Sequence, residues 1–179
     1  FYTNQTPSVS HSSALILGDS HVKRSINPDL FLDAQNIAQS AEPYIISYWK
    51  LKKLYDFIIP DTLLLGFAPH NISEFNDEKF SDNYYAPELF KRIYPIHELQ
   101  SISNLVDVNF NTYYKTLIKQ TSFIPRLDHI NYIGSFDKTL EKDHLSDCQI
   151  TINRHFYNEN TVYNFSKVEI NYLDSIIIF

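Results

Sequence analysis

Cysteine, glycine and basic charge are all scarce in this chain of 179 residues. Cys148 is the one cysteine, so there is no intrachain disulfide framework and no thiolate zinc site. The 3 glycines include no pair, which leaves no phosphate-cradling loop and no dinucleotide fingerprint. Lys and Arg number 15 against 21 Asp and Glu, a net charge of −6. That balance argues against nucleic acid as a partner, because phosphate binding needs a concentrated basic face. No apolar run approaches the ~20 residues that span a bilayer. The 7 histidines are scattered without the spacing of a metal site, so the sequence implies neither a metal nor any other cofactor. Methionine is absent, and Phe1-Tyr2 is followed by a polar stretch. This start leads us to expect an extracytoplasmic or periplasmic domain released from an N-terminal signal or anchor.

What is present reads as one α/β domain over residues 14–179, preceded by a linker or tail over 1–13. The 13 Tyr and 13 Phe make its core strongly aromatic. Ala14-Leu15-Ile16-Leu17 predicts a strand buried on both faces, and it stops at Gly18-Asp19-Ser20-His21. A short helix is expected near Pro28, and a second strand over 33–39. A long amphipathic helix is expected next, with Ser40 as N-cap and Pro60 as terminator. Within it Lys50, Lys52 and Lys53 read as the solvated side. Thr62 to Phe67 predicts a third strand, so the first 70 residues have the order of a doubly wound parallel sheet. Helical patterns follow around Pro87–Tyr94 and through Val106, Phe110, Tyr113, Tyr114 and Leu117, in what reads as an insertion over the sheet's carboxyl edge. Gln149 to Asn153 predicts a strand. Ser166 to Glu169 is a capping box opening a final helix that runs to Phe179, an ending that suggests a chain incomplete at its C-terminus.

Gly18-Asp19-Ser20 directly after a hydrophobic first strand resembles the opening block of the SGNH, or GDSL-type, hydrolases. In that family the serine is the nucleophile, which the resemblance places at Ser20. The resemblance extends to Asn36-Ile37-Ala38-Gln39-Ser40-Ala41, spaced like the family's Asn-x-Gly-x-x-Gly, and to Asn71 after the third strand. It implies a flavodoxin-like parallel sheet with a helical insertion after the third strand. It also implies an oxyanion hole made by the N–H groups of Ser20 and Ala41 and the side-chain amide of Asn71. Both family glycines are alanine here, and alanine is uncomfortable wherever φ must be positive.

The general base is unknown at this level. The family's Asp-x-x-His occurs nowhere: Arg126 stands three residues before His129, Glu141 before His144 and Ile152 before His155. His21 adjoins the serine on the expected strand end, where neighbours point apart. His155 belongs to the site or binds a backbone carbonyl. The resemblance therefore leads us to expect a serine ester hydrolase or acyltransferase acting on a small acyl ester, such as O-acetyl on a carbohydrate. The alternative is a non-catalytic carbohydrate-binding or polysaccharide-assembly protein on the same scaffold.

Overall fold

The apolar strand that ends at Gly18 is the middle of a three-stranded parallel sheet with the order β2-β1-β3. These strands are β1 (Ser10–Leu17), β2 (Ala34–Asn36) and β3 (Ile58–Leu65). The structure, a computed structural model, describes residues 10–94, 96, 98, 109–122, 133–137, 145–158 and 161–179. In register, Ile16 stands opposite Asn36 on one side and Leu64 on the other. A central strand is apolar where helices cover both its faces, and the second half of β1, Ala14 to Leu17, is apolar and buried. Leu15 and Leu17 pack with Leu51 and Leu54 of α2 (Tyr44–Leu54) and Ile176 of α7 (Lys167–Ile178). Ile16 points the other way, onto Ala38 and onto Val22 of α1 (Ser20–Ser25). Each such side chain removed from water contributes about 1.5–3 kcal/mol.

A second core lies on the far side of α2. Ile45, Ile46 and Trp49 pack there against Leu89, Phe90 and Ile93 of α4 (Ala86–Ile93), with Tyr113 of α5 (Phe110–Ser122) completing it. Helix α2 is thus enclosed on nearly every side. This corrects the reading of its lysines: Lys52 and Lys53 are exposed, but Lys50 is wholly buried and paired with Glu42.

Several expected boundaries also move. Strand β1 begins at Ser10, inside the expected tail. A helix begins at Ser20 itself, ahead of a single 3-10 turn at Pro28–Leu30. Pro43, not Ser40, occupies the N-cap position of α2. Pro60 does not end that helix. It lies within β3, opposite Ser12, and β3 pairs only with β1 among the described residues, so its missing N–H breaks no second ladder. Gln149 to Asn153 is not a strand but part of α6 (Leu145–Phe156).

After β3 come a 3-10 turn (Pro69–Ile72), the one-turn α3 (Phe75–Glu78), α4, α5 and α6. A two-residue hairpin pair, β4 (Tyr157–Asn158) and β5 (Thr161–Val162), leads to α7. There Ser166 is the N-cap, its hydroxyl accepting from Glu169 N at 3.0 Å. Residues 1–9, Val106, Pro95, Pro125, His129 and His144 lie outside the described residues, as does the side chain of Cys148.

Candidate functional site

The carboxyl ends of β1 and β3 lie side by side, where the strand order of the parallel sheet reverses and opens a crevice. Two glycines let the chain turn there. An added Cβ would meet Val22 Cγ2 at 2.6 Å from Gly18, whose φ is +146°, and at 2.0 Å from Gly66. Both positions exclude any larger residue unless α1 moves.

From the end of β1, Asp19 caps α1 by accepting from His21 N at 2.9 Å. Ser20 is the first residue of the helix, so its own N–H has no intrahelical acceptor. From the end of β3, the turn Pro69–Ile72 carries His70 and Asn71 back to the same carboxylate, 51 and 52 residues away in sequence. His70 Nε2 donates to Asp19 Oδ2 at 2.9 Å and Asn71 Nδ2 donates to the same oxygen at 3.0 Å. An ionised carboxylate only accepts, so His70 Nε2 carries the hydrogen of this bond. His70 Nδ1 makes no hydrogen bond among the described residues. His21 Nδ1 stands 3.2 Å from each Asp19 oxygen. Burial alone would raise the Asp19 carboxyl, but the hydrogen bonds from His70, Asn71 and His21 outweigh it and hold it well below the usual carboxylate range.

Ser20, Asp19, His21, His70 and Ala41 line one cavity of 490 Å³, joined there by His155 of α6. His155 stacks on His70 with ring centroids 4.7 Å apart and planes inclined by 22°. Burial, helped by His70, Arg154 and Lys79, lowers its pKa to about 4, so it is neutral at pH 7. Its Nε2 stands 3.3 Å from Arg154 Nη2.

Ala41 reaches the cavity on a loop held at several points. Lys50 Nζ bonds Ile37 O at 2.8 Å and Glu42 Oε2 at 2.5 Å, bridging the two ends of the loop. Arg92 Nη1 holds Ser40 O at 2.7 Å, and Lys79 Nζ lies 3.5 Å from Ala41 O. Ala41 has φ +58°, the left-handed region that a β-carbon disfavours by about 1–2 kcal/mol. The carbonyl clamps supply the force that keeps it there, and the Ala41 N–H has no acceptor among the described residues.

Of the residues expected from sequence, Ser20 and Ala41 therefore meet in one cavity. Asn71 stands behind its wall, buried, with Oδ1 accepting from Ala68 N at 2.7 Å and Nδ2 committed to Asp19. His70 is the residue sequence reasoning passed over. The signal available was its position next to Asn71, directly after the third strand.

Asp19, His21 and His70 place one ligand atom each within 4.8 Å of one another. A carboxylate with two imidazoles is a donor set for a divalent metal. Here, however, Asn71 Nδ2 lies 3.0 Å from Asp19 Oδ2 and 3.4 Å from His70 Nε2, so amide protons occupy the approach. Among the described residues, Arg24, Lys79 and Arg154 line the same cavity against the single carboxylate. That charge balance opposes a cation and favours a hydrogen-bonded cluster. Compared with known proteins, the chain matches no family model, no curated sequence and no solved structure.

Proposed function

We propose that this chain is a serine ester hydrolase or acyltransferase of SGNH type on a flavodoxin-like sheet. The observation that carries the reading is the Asp19–His70 pair, 2.9 Å apart, in the wall of the cavity onto which Ser20 opens. A buried aspartate that fixes the tautomer of an imidazole and steadies its charged form is the base-and-orienter half of a serine triad. The β2-β1-β3 order and the left-handed backbone at Ala41, where the SGNH block has glycine, support it further.

In this mechanism Ser20 Oγ attacks the acyl carbonyl and its proton passes to His70 Nδ1. Asp19 stabilises the imidazolium. The N–H groups of Ser20 and Ala41 receive the oxyanion, while Asn71 holds Asp19 in place. Collapse breaks the ester bond, and the departing alkoxide takes the proton from His70. Water, or the hydroxyl of an acceptor sugar, then attacks the acyl-serine with His70 again as base, giving hydrolysis or transfer.

Labelling by a fluorophosphonate, read by intact mass, tests this. Wild type is expected to label and Ser20→Ala not at all. His70→Gln should slow labelling by about 10²–10⁴-fold, and His155→Gln should leave it near wild type. A folded wild-type protein that does not label removes the serine nucleophile. The second reading then stands, an acylated-carbohydrate binder without catalysis. One observation favours it: among the described residues no histidine is hydrogen-bonded to the Ser20 hydroxyl.

A further inference from the structure

The wall of the Ser20 cavity has a charge opposite to that of the chain. The chain carries −6 overall, yet among the described residues Arg24, Lys79 and Arg154 line the cavity against the one carboxylate of Asp19. Lys79 is the most telling of these groups. The residue is only 5% exposed, so its ammonium has largely left bulk water. It donates to Asn76 Oδ1 at 2.6 Å and more weakly toward Ala41 O at 3.5 Å. It also lies over the Phe75 ring, 4.6 Å from the centroid. Among the described residues no carboxylate comes within ion-pair distance of it; Glu169 and Asp19 act on it only from further away. Burial lowers its pKa to about 8, which leaves it charged at pH 7. A buried ammonium held by neutral groups lacks the counter-ion that would offset its desolvation.

The nearby cavity-lining carboxylates hydrogen-bond to neutral donors and not to Lys79. A second cavity of 330 Å³ shares Phe75, Lys79, Tyr85 and Arg154 with the first, and includes Glu78 and Asp82. Glu78 accepts from Tyr163 Oη at 2.6 Å and from Asn158 Nδ2 at 3.2 Å, and Asp82 accepts from Tyr84 N. Lys79 and Arg154 form a cationic ridge common to the linings of both cavities, flanked by the aromatic faces of Phe75 and Tyr85. Arg154 itself is exposed, with its guanidinium against the His155 ring nitrogen.

We propose that this ridge binds the anionic group, a carboxylate or sulfate, of the ligand whose acyl carbonyl reaches Ser20. The acyl part of the statement rests on the serine esterase reading; the anion-binding part does not. A carboxylate or sulfate gives Lys79 its counter-ion and gives Arg154 a planar or tetrahedral acceptor for its forked donors. Neutral esters of the same shape leave Lys79 uncompensated and are discriminated against.

The test is a titration of the full folded chain, followed by NMR or calorimetry, with glucuronate, inorganic sulfate and glucose. Glucuronate or sulfate is expected to bind where glucose at the same concentration does not. Ser20→Ala should bind like wild type, whereas Arg154→Gln and Lys79→Met should lose at least about tenfold in affinity. Raising sodium chloride from about 50 to about 300 mM should weaken binding. Tighter binding of glucuronate identifies a carboxylate; tighter binding of sulfate identifies a sulfate ester. Arg154→Gln alters an exposed residue and decides the matter even where Lys79→Met does not fold. Glucose binding as well as glucuronate, no binding of either anion to wild type, or unchanged binding by Arg154→Gln each overturns the proposal. Absence of fluorophosphonate labelling alongside intact glucuronate binding removes the esterase reading and leaves the anion site in place.

Discussion

Replacing Lys50 by methionine removes the clamp on the Ala41 loop, and the structure sets the size of the effect. Lys50 and Glu42 are both wholly excluded from solvent, with Nζ and Oε2 2.5 Å apart. The remaining partners are Ile37 O for the lysine, at 2.8 Å, and Ser47 Oγ for the glutamate, at 2.6 Å. Methionine fills most of the lysine's volume, so little of the loss comes from a cavity. What it leaves is a buried carboxylate with one neutral donor, while Ile37 O keeps the Gly134 N–H at 3.1 Å. Breaking a buried pair in this way costs about 3–5 kcal/mol, which in a domain of this size lowers Tm by roughly 6–20 °C. The effect depends on pH. Burial already raises the Glu42 pKa above its ordinary 4.5, although Lys50 opposes this. For an acid raised on folding, the contribution to stability is complete below the unfolded value and is lost as pH rises through the folded one. Without Lys50 the carboxyl rises further, so the loss should be smaller near pH 5 than near pH 8. Urea unfolding of wild type, Lys50→Met and Glu42→Gln/Lys50→Met at both pH values measures this. The double variant should recover much of the loss because it contains no stranded charge. A single variant within about 1 kcal/mol of wild type at pH 8, or a double variant no more stable than the single, would refute the argument.

Two further outcomes are expected. Ala41→Gly should raise stability by about 1 kcal/mol, since φ +58° suits glycine, and Ala41→Val should lower it; thermal melting of the three proteins checks the order. His155 should titrate by NMR with a midpoint near 4, and a midpoint above 6 would show that it is not enclosed as described. Because its folded pKa lies below the unfolded 6.5, the associated stability is present above 6.5 and fades as pH falls toward 4. His155→Gln should flatten that acid limb.

Much of the frame was legible because local rules were strong. Four consecutive apolar residues before Gly18 mark a strand with helices on both faces, and Leu15, Ile16 and Leu17 alternate between two core clusters as that requires. Ser166 opens α7 as its N-cap, although the Glu169 carboxylate accepts from Tyr44 N at 2.6 Å and does not close the expected capping box. Where local rules were weak the reading failed. Ile150 and Ile152 alternate like a strand over five residues, too short a window to separate period 2 from period 3.6, and both are exposed on α6. Lys50 looked solvated because charge near other lysines on a helix normally is; only the packing of α4 against one flank of α2 and the sheet against another puts it inside. In the site, Ser20 and Ala41 were marked by spacing, whereas His70 carried no pattern of its own.

The chain's sequence alone determined that an apolar strand would end at Gly18-Asp19-Ser20-His21, leaving a capping carboxylate and a serine at a helix start. Such features depend on neighbours a few residues apart, whose geometry the backbone dictates. Tertiary structure alone decided what that serine would face. The parallel pairing of β1 with β3 carries His70 across 51 residues to Asp19, and the docking of α6 brings Arg154 and His155 to the same cavity. The ionisation and reactivity of a side chain are set by the charges and dipoles within a few ångströms. In this fold those belong to segments that are remote along the chain.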